Sequence, residues 1–145
     1  MGGNAVDGNI NAFIKEHNLS DFVRYEGWVS GNKKTECLEW ADVYILPSYN
    51  EGLPIAILEA MSYSHPIVST NVGGIPEIVH SYENGILIEP GHLEQIKNAL
   101  TFLIENPQMI SEYGRRSREM VQPFFPDNVM TQLKSIYQSL SHEEK

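Results

Sequence analysis

The run Val43-Tyr44-Ile45-Leu46-Pro47-Ser48-Tyr49-Asn50-Glu51-Gly52-Leu53-Pro54-Ile55-Ala56-Ile57-Leu58-Glu59-Ala60-Met61 reads as a strand, a loop and a helix in direct succession. Val43 to Leu46 is a short apolar run, the pattern of a buried parallel strand, and Pro47 stops it because proline has no N–H for a ladder. Gly52 supplies a flexible turn, and Pro54 suits a first helical position, where its missing N–H would have had no partner. From there Ile55, Ala56, Ile57, Leu58, Ala60 and Met61 leave the expected helix no solvent face.

Glu59 interrupts that apolar surface. Burial without a hydrogen bond costs roughly 2–7 kcal/mol even for a neutral polar group, and more for a charge, so a carboxylate there needs a partner. It is either a ligand-binding residue or a structural carboxylate met by backbone amides or a nearby arginine. Glu51 lies at the carboxyl end of the strand and ahead of the helix, at the edge of an open α/β sheet where ligands bind. The plainer reading of Glu51 is a favourable charge near a helix N-terminus.

The run PSYNEGLPIAILEAMSYSHPIVSTNVGGIPEIV resembles the signature of retaining glycosyltransferases of the GT-B fold, in the large family four that uses nucleotide-diphospho-sugars. The shared features are two glutamates separated by seven residues, a Pro-Ser strand end before them and a Gly-Gly-x-x-Glu loop after them. The resemblance implies a Rossmann-like α/β domain with a parallel sheet and flanking helices, the carboxyl-terminal, donor-binding half of such an enzyme. It implies that Glu51 contacts the transferred sugar as the catalytic residue and that Glu59 accepts hydrogen bonds from the ribose hydroxyls. Gly52 and Leu53, just before Pro54, would offer backbone N–H groups to phosphate or sugar oxygens. The loop Gly27-Trp28-Val29-Ser30 matches the base-binding stretch, with Gly27 and Val29 contributing backbone groups; alternatively it is a strand-ending turn with Trp28 in the core. Gly73 and Gly74 either let a backbone approach the ligand or make a tight turn. At Ser64 the sequence departs from the family, which usually has glycine there.

The same resemblance implies a nucleotide sugar as donor, no metal and no other cofactor, and a glycan or lipid-linked acceptor held by a domain not in this sequence. The family's opening strand, helix and strand, with the Arg and Lys that grip the phosphates, have no counterpart here, and Met1-Gly2-Gly3 resembles the end of the second of those strands. A single partial domain over 1–145 is therefore expected, inactive alone, with exposed sheet edges that invite self-association or a rearranged pairing of the strand at 22–26. The rival function is a non-catalytic nucleotide-sugar-binding or partner-binding module from a truncated reading frame.

Outward from the central run, strands and helices alternate. A helix is expected over 7–18 on the spacing of Ile10, Phe13 and Ile14, a strand over 22–26 and a helix over 33–40. Strands follow at 66–70 and 85–89, with a short helix over 75–82 between them. Leu93, Ile96, Leu100, Leu103 and Ile104 recur at helical spacing, and Asn106-Pro107 ends that helix. Helices over 107–121 and 127–140 complete the chain, with a frayed tail over 141–145.

Length and charge narrow the classes. The 145 residues, 41% hydrophobic, suffice for one core. A net charge of −9 argues against a nucleic-acid groove, which is built from clustered Lys and Arg. Cys37 is the single cysteine, which suits a reducing compartment. The opening residues resemble neither a signal peptide nor a myristoylation site, so a cytoplasmic location is expected, with a peripheral place at the inner membrane surface as the variant. No Asp-x-Asp, no phosphate-loop motif and no Gly-x-Gly-x-x-Gly occurs. His17, His65, His80, His92 and His142 lack metal-ligand spacing. Arg115, Arg116 and Arg118 form either a membrane-facing patch or a solvated helix face.

Overall fold

The computed structural model describes the backbone of residues 3–142 and the side chains of residues 9–140. The chain divides into two compact units, Met1–Cys37 and Leu38–Lys145.

The first unit holds helix α1 (Gly3–Glu16) and most of helix α2 (Gly31–Trp40). Among the described residues of α1 Ile14 is buried, and Phe13 is exposed and stacks on His17. The helix stops where Asn18 turns left-handed, at φ 54°, and the Leu19 N–H reaches back to Ile14 O at 2.9 Å. Gly3 opens α1, so it does not end a strand; Met1 and Gly2 lie outside the described residues. The strand expected at 22–26 does not form. The N–H groups of Phe22 and Val23 both turn back to Leu19 O, at 2.9 and 2.8 Å, so local turn bonds take the donors a ladder would use, and Phe22 is 85% exposed.

The second unit is a Rossmann-like layer structure. Strands β1 (Tyr44–Leu46), β2 (Ile67–Thr70) and β3 (Gly85–Ile88) form a parallel sheet in that order, with Leu46 opposite Ser69 and Thr70 opposite Ile88. Helix α3 (Ile55–Ser62) connects β1 to β2, and helices α4 (Leu93–Glu105), α5 (Pro107–Met120) and α6 (Pro126–His142) follow β3. Successive strand residues point to opposite faces, so Ile67 joins one core, with Ile57, Ala60, Met61, Ile75, Ile78 and Val79, while Val68 joins a second, with Ile86, Ile88, Ala99, Leu103 and Tyr113. All four residues of β2 are buried, as a central parallel strand with both faces covered requires. Burying each such aliphatic side chain contributes about 1.5–3 kcal/mol.

Three expectations are corrected here. The helix expected over 75–82 shrinks to a 3-10 turn, Ile75–Glu77, because Asn84 intervenes: its side chain accepts from the His80 N–H at 2.7 Å and donates to Ile78 O at 2.9 Å. Those bonds give the backbone an alternative to a continued helix, and Tyr82 then takes a left-handed φ of 64°. Helix α3 begins at Ile55, with Pro54 as its N-cap, and is not apolar-buried all round, since Ile55 is 71% exposed. The last helix runs through Ser141 to His142 where fraying was expected, and residues 143–145 of that tail lie outside the described residues. Among the described residues no helix is long and apolar enough to cross a membrane.

Candidate functional site

The carboxyl ends of β1 and β2 release two loops, residues 47–54 and 71–74, and these loops are joined. The Gly74 N–H donates to Gly52 O at 2.8 Å. Gly73 adopts φ 54°, and a Cβ there would stand 1.8 Å from Glu51 O, so the second loop approaches the first as closely as main chains can. From sequence, Gly73 and Gly74 are expected to let a backbone approach the ligand or to make a tight turn; the approach seen is to the main chain of Glu51 and Gly52.

Glu51 is half-buried, and its Oε1 accepts a hydrogen bond from Ser48 Oγ at 2.6 Å. Thr70 Oγ1 donates to Ser48 O at 2.6 Å, and Ser69 Oγ donates to Leu46 O at 2.7 Å. Gly52 and Leu53 are exposed and Pro54 is half-buried just ahead of α3. Pro54 has no side-chain cap to offer, which leaves the entry to α3 without a capping hydrogen bond of that kind. Tyr49 is exposed, and its hydroxyl lies beside Gly91, after β3.

Glu59 is half-buried on α3, between the buried Ile57 and Ala60. It already takes part in a polar or electrostatic contact within the chain. The expectation of a helix apolar all round is corrected, because α3 has a solvent side, where Ile55 is exposed. An ionised carboxylate offers about four lone-pair sites.

Gly27 and Val29 belong to the first unit. Gly27 is exposed at φ 64°, which fits a turn, and Val29 is half-buried. Trp28 is 96% exposed, so the alternative that placed it in a core is corrected. The basic residues of α5 are engaged within the chain. Arg115 and Arg116 pair with Glu119, Arg116 also pairs with Glu83, and Arg118 donates to Ser62 O at 2.5 Å with its guanidinium 5.0 Å from the Phe125 ring centre. The histidine expected at the surface or in packing near the central run, His65, is buried, with Nε2 2.7 Å from Leu38 O.

A cavity of about 420 Å³ lies elsewhere, along β3 and α4, lined by residues such as Tyr82, Leu87, Glu89, Gln95 and Phe102. None of the expected site residues lines it. Sequence reasoning missed Ser48 and Thr70 as the groups that hold Glu51, since Ser48 reads there as a strand-end marker and Thr70 as a β-branched strand residue.

Residues 1–120 match the profile of the family described as Glycosyl transferases group 1. An uncharacterised glycosyltransferase of Haemophilus influenzae is 29% identical over 137 residues, covering 94% of this chain and 38% of that protein. Among solved structures, sucrose-phosphate synthase from Thermosynechococcus elongatus superposes with a TM-score of 0.81 at 27% identity, over 96% of this chain and 35% of that one. Anabaena Alr3699/HepE, solved in complex with UDP-glucose, shares the fold with a TM-score of 0.81 at 23% identity, over 98% of this chain and 38% of that one. The chain thus spans little more than a third of the length of these relatives.

Proposed function

This chain belongs to the glycosyl transferases group 1 family, and on that premise we propose that it is the donor-binding part of a glycosyltransferase that moves a sugar from a nucleotide-diphospho-sugar to a glycan or lipid-linked acceptor with retention of configuration. In that reaction the bond from the anomeric carbon to the diphosphate breaks, and the acceptor hydroxyl oxygen bonds that carbon on the same face. The acceptor proton leaves with the nucleotide diphosphate. Binding the leaving group and the charged sugar more tightly in the transition state than in the ground state lowers the barrier.

The observation that carries the reading is the Glu51 loop: a carboxylate held in place at the carboxyl end of a parallel strand, followed by the exposed Gly52 and Leu53 and then by a helix. Ligands of open α/β sheets bind at that edge, and the backbone N–H groups ahead of a helix suit anionic oxygens. Glu51 contacts the transferred sugar. Glu59, eight positions on, accepts from the ribose hydroxyls. Gly27 and Val29 read the nucleobase edge through their backbone. The anion is a substrate held by amides, and no metal enters this scheme.

Calorimetric titration with UDP-glucose, GDP-mannose and ADP-glucose tests it. One of the three is expected to bind, and Glu59→Ala to weaken both that compound and its free nucleotide about tenfold, the worth of one hydrogen bond to a charged group. No binding by any of them, or an affinity untouched by Glu59→Ala, overturns the reading or the ribose role respectively.

A further inference from the structure

The main-chain ladder between β1 and β2 ends in register at Leu46 and Ser69, and the residue that follows β1, Pro47, has no N–H with which to extend it. Two consecutive hydroxyls of β2 replace the ladder. Ser69 Oγ takes Leu46 O, and Thr70 Oγ1 takes Ser48 O at 2.6 Å, from side chains with no solvent exposure. The loop backbone at Ser48 is thereby tied to the most buried strand of the sheet. The hydroxyl of Ser48 itself plays no part in that ladder. Being half-buried, it could equally be satisfied by water, yet it donates to Glu51 Oε1 at 2.6 Å. From the other side Gly73 and Gly74 hold the main chain of Glu51 and Gly52.

A glutamate in a half-open loop has three side-chain torsions, and fixing them costs entropy unless a partner selects one arrangement. Ser48 is such a partner. It occupies one carboxylate oxygen and leaves the other with its full acceptor capacity. We propose that Ser48, itself anchored by Thr70, is a positioning residue that presents the second oxygen of Glu51 to a hydroxyl of the donor's sugar in one orientation. This rests on the reading of Glu51 as the residue at the transferred sugar. A pre-aimed acceptor loses nothing in reorganisation when the sugar arrives, whereas an unaimed one must first be ordered.

The test compares Ser48→Ala, Ser48→Thr, Glu51→Gln and the Ser48→Ala/Glu51→Gln double variant by calorimetry with two probes, UDP-glucose and UDP, or the matching guanosine or adenosine pair if the titration above selects it. The measured quantity is the ratio of the two affinities, which isolates the sugar. Glu51→Gln and Ser48→Ala are each expected to lower the preference for the sugar-bearing probe about tenfold while leaving the bare nucleotide's affinity unchanged. Ser48→Thr, which keeps the hydroxyl, retains the ratio, and the double variant loses no more than either single one, because the two groups act as a unit. A merely structural Ser48 would weaken both probes alike and lower the melting temperature without moving the ratio, which overturns the proposal. If Glu51→Gln moves the ratio and Ser48→Ala does not, the positioning role falls and the reading of Glu51 stands. If Glu51→Gln leaves the ratio unmoved, or neither probe binds, the reading of Glu51 falls first and takes the positioning role with it.

Discussion

The amide of Gly74 donates to the carbonyl of Gly52 at 2.8 Å, and this bond joins the loop after β2 to the loop after β1. It is possible because residue 73 carries no side chain: a Cβ there would lie 1.8 Å from Glu51 O. Gly73→Ala is expected to cost about 3 kcal/mol, from overpacking against main chain and a left-handed φ, measured by urea unfolding. Gly52→Ala is the contrast. Its Cβ would meet nothing within 4 Å, so stability should stay within about 0.5 kcal/mol. A loss of nucleotide-sugar affinity in Gly52→Ala would then report on the ligand and not on the fold.

Ser64 occupies a left-handed backbone position, φ 64°, at the end of α3, where its N–H reaches Met61 O at 3.0 Å. The turn therefore forms without the glycine expected there, at a conformational cost of about 1–2 kcal/mol for a residue with a Cβ. Glycine relieves that cost but adds freedom to the unfolded chain. Ser64→Gly should accordingly gain about 0.5–1 kcal/mol, seen as a rise of a few degrees in melting temperature.

Asn84 is fully buried and serves two neighbours at once, the His80 N–H and Ile78 O. Asn84→Ala would leave both of those main-chain groups without their partner. A loss of about 2–4 kcal/mol in chemical denaturation is expected, much larger than for a surface asparagine.

Arg116 bridges Glu83, ahead of β3, and Glu119 on its own helix. Its hydrogen bond, followed by that of His80, holds the Glu83 carboxyl below the ordinary value of 4.5. A depressed folded-state pKa means that the stabilisation is fully present above 4.5 and is lost as pH falls through the folded value. Glu83→Gln should therefore lower the melting temperature at neutral pH, by a small amount because both partners are solvent-screened, and flatten the acid limb below about pH 4.5, where the wild type loses the same contribution.

The sequence by itself determined the parallel α/β class, the strands at 44–46, 67–70 and 85–88 to within a residue or two at each end, and helix α4 over Leu93–Glu105. It could do so because those segments carry their own signals: apolar runs bounded by proline and glycine, and an apolar period of helical length. It also marked Glu51 and Glu59, through the family resemblance their spacing carries. Tertiary structure alone decided the rest. Residues 22–26 alternate like a strand, but a strand exists only when a neighbour supplies the ladder, and here local turn bonds to Leu19 prevail. The helix expected at 75–82 gave way to bonds from Asn84, on the far side of the turn it would have replaced. The surroundings of Glu51 depend on Ser48, Thr70 and Gly73, which lie up to 25 residues apart along the chain and meet only because β1 and β2 are adjacent. Periodicity reports which face of an element is apolar; which hydroxyl reaches which carbonyl is set by strand register, and that is a property of the assembled sheet.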